Sequence, residues 1–142
     1  MPVVFIPALL CDDALYQGVI DRLGDKLDAR VVIASKPTMR DNVAEVLARA
    51  PERSVVVGTS FGGSVALEVA LTAPERVAAL WLMGCSPAAP DAQIRQLVDG
   101  MAATPEPVID MLAGLAVAEG AKQAGDVFRA MAARVGAANG VA

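Results

Sequence analysis

"VVVGTSFGGSVAL", residues 55–67, runs from consecutive valines into glycines around one serine and then into a helix-forming segment. A chain has one main chemical reason to set Gly-x-Ser-x-Gly between a strand and a helix. The sharp bend lifts the serine hydroxyl clear of the backbone as a nucleophile. Such a bend strains the serine and squeezes together the residues two before and two after it, so only side chains as small as Gly58 and Gly62 fit. Gly63, Ser64 and Ala66 extend the small surface and let the helix lie close on the sheet. The N–H of Phe61, at the positive end of that helix, points where an oxyanion would form. Other glycine motifs fail here: Ser60 occupies the position a dinucleotide fingerprint reserves for glycine, and no Gly-Lys-Ser/Thr follows as in a phosphate loop.

A serine nucleophile needs a base, yet the 142 residues contain no histidine. The bulk numbers narrow the other possibilities. The length suits one modest domain, and 55 % hydrophobic with 20 % charged residues is a globular composition. A net charge of −4 with scattered Lys and Arg argues against nucleic-acid binding. Cys11 and Cys85 fit neither a metal pattern nor a disulfide framework and read as two buried thiols. No carboxylate cluster has metal-ligand spacing, so neither a metal nor another cofactor is expected. The start, "MPVVFIPALLCDD", lacks a basic leader, and bulky Leu10 precedes Cys11 where a processing site wants a small residue. No uncharged stretch reaches the ~18–20 residues of a membrane span, so a soluble, cytoplasmic protein is expected.

Short apolar runs alternate with helix-period segments, the pattern of a parallel sheet covered on both faces. Strands are expected at 3–7, 31–34, 55–57 and 77–83. Asp12 and Asp13 are expected to cap a helix whose apolar face is Leu15, Val19, Ile20, Leu23 and Leu27. Asp41 is expected to cap a second helix, ended by Pro51, and residues 60–72 form a third, stopped by Pro74. Trp81 reads as a buried strand residue, and Met83, Met101, Met111 and Met131 as packing residues. Beyond Pro90, "TPEP", Gly114, Gly120, Gly125 and Gly136 are expected to separate several helices before a loosely ordered tail.

At this point the chain resembles the α/β-hydrolase fold family, in particular its small-molecule esterases and lactonases. "VVFIPALLCDDALY" is similar to the family's first conserved strand and oxyanion loop. "PERSVVVGTSFGGSVALEVALTAPERVAALWLMGCSP" follows its strand–elbow–helix–strand order. The resemblance covers residues 2–90 and implies about four parallel strands flanked by helices. It makes Ser60 the catalytic nucleophile, Leu9 and Phe61 the oxyanion-hole donors, and Gly58 and Gly62 the elbow glycines. Ala8 stands where the family usually has glycine. Residues 1–90 would be the N-terminal part of the hydrolase core and 91–142 the start of a helical cap. The implied substrate is a small-molecule ester or lactone.

The family's acid and histidine lie on loops after later strands, which are absent here. The alternative acid position holds Gly84, Cys85 and Ser86, and Asp91 lies several residues beyond it. The expectation is therefore a hydrolase truncated before its acid and histidine and nearly inert alone. The edge of strand 77–83 would lie open, inviting self-association or a complementing chain that carries Asp and His. The alternative reading is a non-catalytic binding or assembly module that retains the fold.

Overall fold

The computed structural model describes residues 1–88, 92–115, 118 and 121–136 of the chain. Four parallel strands form one sheet in the order β2-β1-β3-β4: β1 is Val3–Ile6, β2 Ala29–Val31, β3 Ser54–Thr59 and β4 Val77–Met83. Helices α1 (Ala14–Leu23), α2 (Met39–Arg49) and α3 (Phe61–Thr72) connect them, and α4 (Ala92–Ala103), α5 (Pro105–Leu115) and α6 (Lys122–Val135) follow β4.

The period of two in a strand sends alternate side chains to opposite faces. Val4, Ile6 and Val56 therefore pack with Val43 and Val46 of α2 and with Val65, Ala66 and Val69 of α3. Phe5 and Val57 face the other way and meet Tyr16 of α1. Both faces of the central strands are thus covered, which explains their continuous valine-rich runs. The Phe5 and Tyr16 rings lie 4.6 Å apart at an interplanar angle of 39°.

Several expectations need correction. β2 begins two residues earlier than the apolar pattern indicates, because Val3, Val4 and Phe5 pair with Ala29, Arg30 and Val31 in an outer strand that tolerates a polar residue. Val32 still donates to the Phe5 carbonyl at 2.9 Å. On α1 the buried residue is Tyr16, with Ile20 packed beside it, while Leu15, Val19 and Leu23 are exposed. The Asp12 carboxylate accepts the Ala14 N–H at 3.1 Å, whereas Asp13 makes no side-chain cap bond. The cap of α2 is Thr38, whose hydroxyl accepts the Asp41 N–H at 3.1 Å and donates to the Asp41 carboxylate at 2.8 Å. This is a reciprocal cap in which Asp41 is the third helical residue. Gly114 and Gly125 lie inside α5 and α6 and do not separate helices; Gly120 and residues 137–142 lie outside the described residues. Met111 is exposed, whereas Met101 and Met131 are buried.

The largest departure is Trp81, which is 64 % exposed on β4. Within the sheet, β4 pairs with β3 alone, so it is an edge strand with Trp81 and Leu82 exposed. The apolar neighbours in the sequence that suggested burial are the strand's own, and no described element covers Trp81.

Candidate active site

Ser60 stands at the junction of β3 and α3 with φ 52° and ψ −121°. Only Leu10, at φ 63°, is another described non-glycine residue with positive φ. A side chain held there costs on the order of 1–3 kcal/mol and persists only where its surroundings impose it. They do so here. A Cβ on Gly58 would collide with the backbone of Gly62 and Gly63, and a Cβ on Gly62 with the carbonyl oxygens of Ile6 and Pro7. A Cβ on Gly63 would lie 2.6 Å from the Cys85 Sγ. The Ser60 N–H donates to the Met83 carbonyl at 2.8 Å, tying the bend to the end of β4. Ser60 itself is exposed.

Thr59, just before the bend, is held from the other face of the sheet. Its hydroxyl lies 2.6 Å from the Tyr16 hydroxyl, which is also 3.1 Å from the Ile6 carbonyl oxygen. A carbonyl only accepts, so Tyr16 donates to Ile6 and Thr59 donates to Tyr16. Burial raises the Tyr16 pKa, opposed by the Thr59 contact, which keeps the phenol protonated for this role.

The 7–12 loop follows β1 and borders the bend. Its left-handed turn falls at Leu10 and not at Ala8, so the residue standing where the family usually has glycine carries no positive φ. The Cys11 N–H donates to the Ala8 carbonyl at 3.0 Å, closing the loop. Leu10 and Cys11 are buried against Met101, Ala113, Phe128, Met131 and Ala132, which seats α4, α5 and α6 on this loop. Asp12, only 5 % exposed, receives two bonds from Arg134 of α6, Nε to Oδ2 at 2.6 Å and Nη2 to Oδ1 at 3.1 Å. The Arg134 hydrogen bond is the main force that holds the Asp12 pKa below its ordinary value, against the opposing effect of burial. The Cys11 thiol is pushed up to about 11, first by burial and then by the Asp12 charge.

Between the bend, the loop and the last helix lies a cleft of about 540 Å³. Ser60 and Thr59 form one wall; Ala8, Leu9 and Cys11 come from the loop, Ala14 and Leu15 from α1. Leu97, Leu112, Ala124, Val127, Phe128 and Met131 come from the last three helices. Ser60 and Leu9 are thus brought to one cleft. Phe61 opens α3 half-buried against the valine core and Gly62 is buried behind it, while Gly58 sits in the sheet opposite Ile6 and Leu82. Asp91 lies outside the described residues. The helical spacing of Ala124, Val127, Phe128 and Met131 is the one sequence signal that reveals the far wall. Charged groups collect in a second cleft of about 380 Å³ on the other side of Asp12, where Lys36 and Arg49 both pair with Glu45. No group of His, Cys, Asp and Glu suited to a metal occurs among the described residues.

The sequence profile of the alpha/beta hydrolase fold matches residues 21–114, well over half of the chain. The chain belongs to the alpha/beta hydrolase fold family. The matched stretch contains Ser60 and both elbow glycines, while Leu9 precedes it. Among curated hydrolases of this kind, the chain is 35 % identical over 83 residues to the pimeloyl-[acyl-carrier protein] methyl ester esterase of Aliivibrio salmonicida, across 52 % of this chain and 32 % of that protein. It is 46 % identical over 52 residues to lipase LipV of Mycobacterium tuberculosis, across 37 % of this chain and 20 % of that protein. A hydrolase from Pseudomonas aeruginosa shares the fold with a TM-score of 0.76 at 21 % identity, covering 99 % of this chain and 61 % of that one. A thermophilic esterase aligns with a TM-score of 0.64 at 19 % identity, over 98 % and 59 % of the two chains. The chain therefore matches about three fifths of these alpha/beta hydrolase structures, and a third or less of the curated relatives. No described helix is long and apolar enough to cross a membrane.

Proposed function

We propose that Ser60 is the nucleophile of a site that hydrolyses small-molecule esters or lactones, with the N–H groups of Phe61 and Leu9 as its oxyanion hole and α4–α6 as its cap. The observation that carries this reading is the strained, exposed Ser60 at the strand-to-helix bend, on the wall of an apolar cleft. The Ser60 Oγ attacks the ester carbonyl carbon as its proton passes to a general base, and the carbonyl oxygen takes the negative charge between the two amides. Collapse breaks the bond to the alkoxide, which leaves with that proton, and water then releases the acid from Ser60. The 142 residues contain no imidazole, so the base and its acid partner come from polypeptide outside them. The open edge of β4 is where such a complementing chain, or a second copy, pairs. Loss of a serine protease's triad lowers turnover about a million-fold, so these residues alone turn over ordinary esters hardly at all.

Reaction with an alkyl fluorophosphonate, read by intact mass, tests the nucleophile. Without the base the hydroxyl reacts slowly, so one adduct is expected on the native chain after prolonged reaction with this highly reactive agent and none on Ser60→Ala; equal labelling of both would remove Ser60 from the mechanism. The absence of histidine also favours a second reading, a binding module that keeps the cleft without the chemistry. Absence of labelling together with a defined oligomer on gel filtration selects that reading.

A further inference from the structure

The walls of the Ser60 cleft carry a second message. Its described residues include no charged side chain, and apart from Thr59, Ser60 and the protonated Cys11 they are aliphatic or aromatic. Two of them are large apolar residues left partly in water: Leu15, 36 % exposed on α1, and Val127, 42 % exposed on α6. Neither belongs to the buried core, yet both line the concavity that holds Ser60. Beyond these walls, Arg134 is held by Asp12, Lys36 and Arg49 share Glu45 in the separate polar cleft, and Lys122 lines an adjoining hollow that shares Ala124 and Val127 with this one.

We infer that this cleft selects an uncharged, apolar acyl chain and rejects one that ends in a carboxylate, with Leu15 and Val127 as specificity-determining residues. This deepens the hydrolase reading and rests on it for the word acyl. The physical grounds are desolvation and apolar burial. A methylene taken out of water onto these walls tightens binding by about fourfold. A carboxylate taken to the same place loses its hydration and finds no cation among the described wall residues. The space of about 540 Å³ lies in the range of small-molecule clefts, ~300–1,000 Å³.

The test uses amides, which mimic the acyl group and are inert to hydrolysis, so binding is measured without turnover. N-methylacetamide, N-methyloctanamide and the carboxylate-ended N-methyl monoamide of octanedioic acid are titrated into the full chain by calorimetry. N-methyloctanamide is expected to bind at least about tenfold more tightly than either of the others. Val127→Asp is expected to weaken N-methyloctanamide about tenfold with an unchanged circular-dichroism spectrum, because Val127 lies outside the core. Val127→Lys is expected to shift preference toward the carboxylate-ended amide. Equal affinity for the two eight-carbon amides, no binding of N-methyloctanamide, or indifference to both substitutions overturns the inference. Amide binding is read on the native chain without turnover or labelling. A failure of fluorophosphonate labelling would thus sink the nucleophile while leaving the apolar selectivity measurable.

Discussion

Arg134 grips Asp12 across 122 residues of sequence, with both of its hydrogen bonds landing on one buried carboxylate. Asp12 also receives the Ala14 N–H, so one side chain joins the start of α1, the 7–12 loop and the last helix. The loop that lines the Ser60 cleft and the helix that forms its far wall are therefore fixed by the same ion.

The pH dependence of stability follows. The fold holds Asp12 ionised more firmly than the unfolded chain does, so the unfolded chain takes up the proton first as pH falls. The contribution is fully present above the ordinary aspartate value of about 3.9 and is lost as pH drops through it to the lower folded value. Asp12→Asn should remove this component, giving a urea midpoint that falls less between pH 6 and about 3 than that of the native chain. Parallel profiles for the two proteins would show that the pair contributes nothing.

The elbow should tolerate no added carbon. Gly62→Ala drives a methyl group into the Ile6 and Pro7 carbonyl oxygens, so backbone must move, at a cost of about 1–3 kcal/mol or more. Gly18→Ala, within α1 and with nothing within 4 Å of the added carbon, should stabilise by ~0.5–1 kcal/mol. Urea denaturation of the two variants checks the opposite signs.

The two thiols should differ sharply toward iodoacetamide. Cys11 is buried with its pKa raised to about 11, so thiolate is scarce at neutral pH. Cys85 is only half-buried. One alkylation at Cys85 is expected under native conditions and a second, at Cys11, only in denaturant; peptide mass mapping assigns them.

How much of this was legible in the sequence depended on how local the cause was. The bend at Ser60 is written in five adjacent residues, and β4 is bounded by Pro74 and Gly84 around a continuous apolar run, so both emerge correctly. The apolar face of α1 differs from the expected one because periodicity marks a stripe without its centre; the ring contact of Tyr16 with Phe5 rotates it. Trp81 looked buried because composition cannot say whether a strand lies inside a sheet or at its edge. The Asp12–Arg134 pair and the Tyr16–Thr59 bond join residues far apart in sequence, and no spacing rule finds them. The sequence pattern brought out Ser60, Gly58 and Gly62; the cleft's far wall depends on how three helices settle onto the 7–12 loop.

The β4 edge makes its own prediction. An unpaired strand with Trp81 and Leu82 exposed is a template for association. Sedimentation velocity should show concentration-dependent association that Trp81→Lys suppresses, without loss of stability, since Trp81 packs little in the monomer. Identical sedimentation of the two proteins would rule out this edge as the contact.

Gly62 rests against the carbonyls that end β1, whereas the helices that close the cleft meet the sheet domain through the 7–12 loop. The bend and the cleft's far wall thus rest on different contacts. A directed-evolution library that randomises residues 97, 112 and 127 while sparing 6, 7, 58 and 62 should retain folded members in most of its diversity, so new selectivity can be sought without rebuilding the bend.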